Sequence, residues 1–448
     1  MKDRIYKRYY NLYLFQTWIR NRFTTLGRFA FSILFLLFIF GLNTQKTLIY
    51  QIFCLHLSIC FISILFSLKF KPTLEIQRIL PKQCLVNKEL HYTIVIKNKG
   101  KKKESNLFYK EEFALAVPTK TEFYNTIEPG EEKRNWFDRK MKFYRWKWLV
   151  QKKRNVYANE FPLPDLKSNE EAEIELSLMP LKRGYIHFVR SIINKRDPFS
   201  FLKTSFIINQ NNSILVLPKQ YLISKLLFTG AKKYNQNDLT QTMKKGESLE
   251  FFSVREYQFG DPIKNIHWKT SAKRGQPMVK EFHDENLTRS SLILDTFTKE
   301  AYSDVFEEAV SLASSVILKM ESNESLLDLM FVGDKSFCLT AGSGLHTSSY
   351  LLETLASIKP CCNQKFQILT NSVKNHIHFM SSVLLILISL NDMQIELIQL
   401  LEYNHIELRV YLIVDDMQKV TKQLETIQLK TKIKVLETSQ IQEGLQTE

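Results

Sequence analysis

The chain has 448 residues, too many for one compact core, and its 44% hydrophobic content permits globular folding, so two or more soluble units are expected beside any membrane segment. Its net charge of +16 is concentrated: residues 1–28 hold seven Lys/Arg against one Asp, and residues 133–154 hold ten against Asp138 alone. Two local basic segments argue for contact with anionic lipid headgroups and against a nucleic-acid surface spread over the whole protein. The six cysteines show neither metal spacing nor a secreted disulfide framework, which fits a reducing cytoplasm.

Residues 1–28 read as a basic cytoplasmic tail. Phe29–Leu42 carries no charge and, with Leu26 and Asn43–Gln45, is just long enough to cross a bilayer. Leu48–Leu68 is clearer, with only Gln51 and His56 strongly polar, and spans about 31 Å at ~1.5 Å per residue. Residues 29–68 are therefore expected to form a transmembrane hairpin; no small-residue cleavage site follows the first segment, which disfavours a signal peptide. Arg20, Arg22 and Arg28 precede it, Lys69, Lys71, Arg78 and Lys82 follow, and only Lys46 lies between. That asymmetry predicts a multi-pass plasma-membrane protein with both termini in the cytoplasm. His56 and Gln51 are assigned to interhelical hydrogen bonds rather than to a transport path.

From residue 73 to about 220 the apolar residues alternate, as in His91–Lys97 and Glu173–Leu178, with turn signals at Asn98-Lys99-Gly100 and Glu128-Pro129-Gly130. This pattern predicts an antiparallel β-sandwich. Within it, residues 131–156 form a basic, aromatic insertion open to three readings. Trp136, Trp146 and Trp148 can sit at headgroup depth on the membrane surface, or the aromatics can pack on the sandwich as a β-hairpin with solvated cations. Stacking on single-stranded nucleic acid ranks last.

The segment 221–290 holds the most informative string, residues 246–285. It reads as a strand through Phe252 and Val254, a turn at Gly260, a helix with Asp261 as N-cap and Pro262 at its first position, a stop at Gly275, and a second strand, Met278–Phe282. Ile263, Ile266, His267 and Thr270 share one helical face. Arg255 and Tyr257 lie two apart on a strand, which suits packing against that helix. An acid–base or phosphate site can be assembled from Glu256, Asp261, His267 and Lys280. A cap needs no catalysis, so a structural or partner-docking motif is preferred, and no residue is assigned as catalytic.

Beyond it, apolar strands at Ser291–Leu294, Leu326–Val332, Val383–Leu390 and Leu408–Val414 alternate with helices at Asp304–Met320, Thr347–Ile358 and Asp392–Tyr403. Strand and helix in alternation predict a doubly wound α/β domain over 291–448.

The central string resembles the hallmark of the bacterial domain of unknown function 58 family: Arg255, Glu256, Tyr257, Gly260, Asp261, Ile266, Trp268, Lys269 and Ala272 match. Arg183-Gly184-Tyr185 and Asp197-Pro198-Phe199 match two upstream turns of that family. The departures are Ser200 where glycine is usual, Lys264 and Lys273 where arginine is commoner, and His267 where an acid is frequent. The resemblance extends over nearly the whole chain and implies a C-terminal domain similar to von Willebrand factor A. Such domains often bind a divalent ion through D-x-S-x-S; here Asp295 is followed by Thr296, Phe297, Thr298 and Lys299, so no metal is expected. The resemblance also implies partnership with a MoxR-type AAA+ ATPase. The expected function is a non-enzymatic, membrane-anchored scaffold or adaptor without cofactors, acting in envelope-complex assembly or maturation. A phosphate-ester hydrolase using the 255–281 motif is the alternative, and nucleic-acid binding through 133–154 is third.

Overall fold

Alternating side chains at Leu74, Ile76, Tyr92, Ile94 and Ile96 turn one face of each strand inward, and two such sheets close on each other. The computed structural model describes residues 2–41, 47–68, 70, 72–114, 117–223, 251–259, 261, 263–282, 289–298, 302–321, 326–342, 348–362, 364–417, 420, 424 and 429–446. The chain divides into two units, the first comprising residues 1–219 with 300–302 and 353–358, the second the remainder.

In the first unit, β1 (Leu74–Ile79), β3 (Leu90–Asn98), β7 (Glu171–Pro180) and β5 (Val156–Tyr157) form one sheet in the order β1-β3-β7-β5. The second runs β2-β9-β8-β4-β6, from β2 (Gln83–Leu85), β9 (Lys203–Leu217), β8 (Gly184–Arg196), β4 (Leu107–Phe113) and β6 (Phe161–Pro162). All pairings are antiparallel except β2 with β9, which departs from the uniformly antiparallel expectation. Ile94, Ile96, Tyr109, Leu176, Phe188 and Ile193 fill the space between the sheets.

Three helices precede the sandwich: α1 (Lys2–Arg22), α2 (Thr25–Gly41) and α3 (Thr47–Leu68). Among the described residues one helix is long and apolar enough to cross a membrane, over Leu48–Leu68; α2 is apolar but has only 17 residues. His56 of α3 bonds through Nε2 to the Ala30 carbonyl of α2 at 2.9 Å, the interhelical use expected of it. Residues 1–28, read from the sequence as a basic tail, contain α1 and the start of α2.

The second unit is built on a six-stranded sheet ordered β14-β13-β12-β15-β16-β17, from β12 (Arg289–Leu294), β13 (Leu326–Val332), β14 (Ser336–Ala341), β15 (Ser382–Leu387), β16 (Glu407–Val414) and β17 (Ile433–Glu437). Only β14 runs antiparallel, at one edge. The order reverses between β12 and β15, the crevice where doubly wound sheets usually place a site. A two-stranded sheet of β10 (Phe251–Glu256) and β11 (Met278–Phe282) carries the central string.

Candidate functional site

The antiparallel register of β10 and β11 sets Arg255 opposite Val279 and Glu256 opposite Met278, so the intervening chain returns beside Arg255. The Arg255 guanidinium donates both terminal nitrogens to Asp261, Nη1 to Oδ2 and Nη2 to Oδ1, each at 2.7 Å. This fork geometry fixes orientation as well as charge. The Gln258 amide adds a bond to Asp261 Oδ2 at 2.9 Å. Arg255 first, then that amide, holds the Asp261 carboxyl below its ordinary range.

The expected cap is corrected here. Asp261 does not open the α-helix: a 3-10 turn at Ile263–Asn265 follows it, and α7 (Trp268–Arg274) begins later with His267 as its N-cap. The His267 ring accepts from the Thr270 amide at 3.3 Å, while the Asp261 carboxylate is engaged by a stronger, ionic donor. The expected helical face is broken for the same reason, since Ile263 lies in the 3-10 turn and Ile266 pairs with Val279 as a bridge. Gly275, at φ 71°, ends the helix. Gly260 and Pro262, given roles in the sequence reading, lie outside the described residues.

Glu256 accepts from Gln276 Nε2 at 2.7 Å, the His267 ring meets Thr270 Oγ1 at 2.7 Å, and Lys280 stands opposite Val254. These bonds tie the motif to itself. The Tyr257 amide donates to the Pro277 carbonyl at 2.9 Å, closing the base of the hairpin. Around the Arg255–Asp261 pair, Trp268 and Ile263 are 69% exposed, Phe259 is fully exposed, and Lys269 is exposed. Phe259 was not singled out from the sequence, although a large aromatic directly beyond a strand end, beside Gly260, is a legible signal of exposure.

The two upstream turns lie in the first unit. Arg183 donates to the Leu355 carbonyl at 3.2 Å and the Ile358 carbonyl at 2.6 Å, Gly184 has φ 107°, and Tyr185 is exposed and stacked on His187. Asp197, only 6% exposed, organises the β8–β9 turn. Its Oδ2 accepts from the Phe199 amide at 3.0 Å and its Oδ1 from the Leu202 amide at 2.6 Å. Oδ2 also accepts from Ser63 Oγ of α3 at 2.8 Å. Pro198 and Phe199 are exposed, and Ser200 takes the positive φ of 56° that glycine would adopt more readily. Just before α2, Thr24 donates to the Ser200 carbonyl, and on α2 Gly27 lies so close to Phe201 that an added Cβ would stand 1.9 Å from its carbonyl oxygen. The turn is thus the fastening between sandwich and helices.

The insertion is helical rather than a β-hairpin, formed by α5 (Trp136–Met141) and α6 (Phe143–Lys153); α6 and the preceding α4 (Lys120–Asn125) pack against α1, and the Tyr9 hydroxyl of α1 donates to the Met141 carbonyl of α5 at 2.9 Å. Trp146 is buried with Tyr9, Phe123 and Leu149, which excludes it from a membrane surface, and Trp148 packs edge-on to Tyr302 at 5.9 Å. Trp136 is exposed, with Lys140 over its ring at 4.6 Å. Part of the basic charge is paired internally with acids outside the 133–154 window: Arg145 with Glu131 at 2.6 Å, Arg134 with Glu128 at 2.7 Å and Lys153 with Glu122 at 2.5 Å.

At the crevice between β12 and β15, Asp295 is fully buried. Its Oδ1 accepts from the Phe297 amide at 2.9 Å, and Gln394 Nε2 lies 3.5 Å from Oδ2. Burial pushes its carboxyl from 3.8 up to about 7. Thr296 Oγ1 is committed to the Val332 carbonyl at 2.6 Å, and Phe297 packs on Phe366. A hard cation needs several oxygen ligands, and this set does not fit one. Lys299 lies outside the described residues.

The chain is 24% identical over 201 residues to "Uncharacterized protein YeaD" of Bacillus subtilis (strain 168), an alignment covering 44% of this chain and 48% of that one. It thus spans about half the length of the curated relative it matches. Among solved structures it is similar to the CARDB domain of PF1109 from Pyrococcus furiosus, at 13% identity and a TM-score of 0.16 over 32% of this chain and 94% of that domain. It is also similar to red sea bream transglutaminase, at 12% identity and 0.18 over 33% and 15%. Neither carries an argument at such scores. Residues 253–383 match the model of the family described as "Protein of unknown function DUF58".

Proposed function

We propose that this chain is a non-enzymatic, membrane-anchored scaffold or adaptor, with α2 and α3 as a transmembrane hairpin, both termini cytoplasmic, and a C-terminal domain of the von Willebrand factor A type. Its client-handling partner is a AAA+ ATPase of the MoxR type, and its task is assembly or maturation of an envelope complex. One observation carries the reading: Phe259, Ile263 and Trp268 are exposed on a hairpin whose loop is fixed by the Arg255–Asp261 fork. Exposed large apolar side chains on a preordered loop suit protein recognition, where Trp is a favoured anchor. Neither the matched family nor the relative gives an enzymatic indication. The hydrolase reading would need Glu256, Asp261 and His267 to serve a substrate, yet their side chains bond Gln276, Arg255 and Thr270.

A photocrosslinking residue placed at position 268 in the membrane-bound chain tests this. Capture of one ATPase subunit, lost with Asp261→Ala, is the expected result. Crosslinks confined to lipid or to the chain itself overturn it.

A further inference from the structure

Where α3 ends, a cleft of about 550 Å³ is lined by Phe66, Phe70 and Pro72 together with Lys101, Lys102, Lys103, Glu104 and Lys195. That volume lies within the range of ligand sites. The loop carrying the three consecutive lysines is held in place by Asn98, a side chain buried to 1% exposure. Asn98 Nδ2 donates to the carbonyls of Lys102 at 2.9 Å, Lys167 at 3.0 Å and Leu166 at 3.2 Å, and its Oδ1 accepts from the Gly100 amide at 2.9 Å.

The charges are not mutually cancelled. Lys195 donates to Glu104 at 2.8 Å and lies over the Phe70 ring at 5.2 Å, while Lys103 pairs with Asp165 at 2.8 Å. Among the described residues Lys101 and Lys102 make no ion pair, so the cleft keeps two uncompensated cations in a lining that also holds Phe66, Phe70 and Pro72.

We propose that this cleft binds the phosphate headgroup of an anionic phospholipid, with Lys101 and Lys102 as its main charge partners and Phe66 and Phe70 against the glycerol and upper acyl region. The proposal rests on the reading that α3 crosses the membrane. A helix leaving the hydrocarbon brings its last turn to headgroup depth, where juxtamembrane lysines attract anionic lipid. Glu104 acts as a brake on the site, because it holds Lys195.

The test uses the full-length protein in detergent, titrated with phosphatidylglycerol or phosphatidylcholine and read by native mass spectrometry. Wild type should retain phosphatidylglycerol preferentially, the Lys101→Gln/Lys102→Gln variant should lose roughly tenfold or more of that preference, and Glu104→Gln should strengthen it. A gain from Glu104→Gln cannot arise from misfolding. Equal retention of the two lipids, or indifference to both variants, overturns the proposal. Displacement of phosphatidylglycerol by millimolar inorganic phosphate would overturn the lipid assignment in favour of a soluble phosphate site. Release of the protein from membranes by alkaline carbonate would instead overturn the reading of α3, whereas a carbonate-resistant protein without lipid preference overturns the cleft alone.

Discussion

Inside the sandwich the guanidinium of Arg78 closes on the carboxylate of Glu111 through two parallel bonds, Nε to Oε1 at 2.8 Å and Nη2 to Oε2 at 2.9 Å, with the side chains 0% and 2% exposed. Ser191, Asn212 and the Gln210 carbonyl take the remaining guanidinium hydrogens, and Tyr92 and Tyr109 donate to Glu111. A buried pair of this kind is costly to break and cheap to replace, because removing one partner strands a charge. Arg78→Met alone should destabilise the sandwich by ~3–5 kcal/mol, and Arg78→Met with Glu111→Leu should cost less than either single change. Denaturant unfolding of the detergent-solubilised chain measures this; strictly additive losses would refute it.

Arg78 also shows where sequence reading stops. It counted as a juxtamembrane cation because its neighbours in the sequence are the end of a membrane segment, yet strand register turns it inward at the third even position of β1, after Leu74 and Ile76. Long, strongly periodic elements were legible: β13 and the helix Asp392–Tyr403 lie where the pattern placed them. The edge strand β14 was missed because its half-buried face gives no clean alternation. In the central motif the residues were legible and their roles were not. Asp261 scores as a cap by type and position, and only the return of the chain beside Arg255 shows which donor claims it. Trp146 was likewise misplaced, because nothing in its own neighbourhood announces Tyr9 as its packing partner.

Asp197 should be required for the fastening of the β8–β9 turn to α3. Asp197→Ala strands the Phe199 and Leu202 amides and the Ser63 hydroxyl, at ~1–3 kcal/mol for each buried group left unsatisfied. Ser63→Ala removes only one bond and should be several-fold milder. Limited proteolysis at the turn distinguishes them: cleavage should rise strongly in Asp197→Ala and little in Ser63→Ala. Equal protection in both would show that the turn is held by other contacts.

Asp295 predicts a pH dependence. Its carboxyl titrates near 7 when folded and near 3.8 when exposed, so the folded state holds the proton more tightly. Its contribution is complete below the unfolded value and is lost as pH rises through about 7. The distance from 3.8 to about 7 corresponds to on the order of 4 kcal/mol. Asp295→Asn should therefore gain on wild type as pH rises, melting modestly above it at pH 5 and well above it at pH 8. A wild-type profile that rises between pH 5 and 8 and parallels the variant would contradict the buried, proton-holding carboxyl.

The fork between Arg255 and Asp261 should act as one unit in presenting Phe259, Ile263 and Trp268. A bidentate pair orders a loop by geometry, so Arg255→Lys, which keeps the charge but not the fork, should fail nearly as badly as Arg255→Ala in recovering the crosslinked partner. Asp261→Ala and Arg255→Ala should not be additive, because either change frees the same loop. His267 sits outside that unit as the helix cap: His267→Ala should lower stability by ~0.5–2 kcal/mol, whereas His267→Asn supplies an equivalent oxygen and should be nearly neutral. Partner recovery and thermal unfolding measured on these five variants separate the roles. If Asp261→Asn folds normally and recovers the partner yet abolishes cellular function, the carboxylate is doing chemistry, and the hydrolase reading replaces the scaffold.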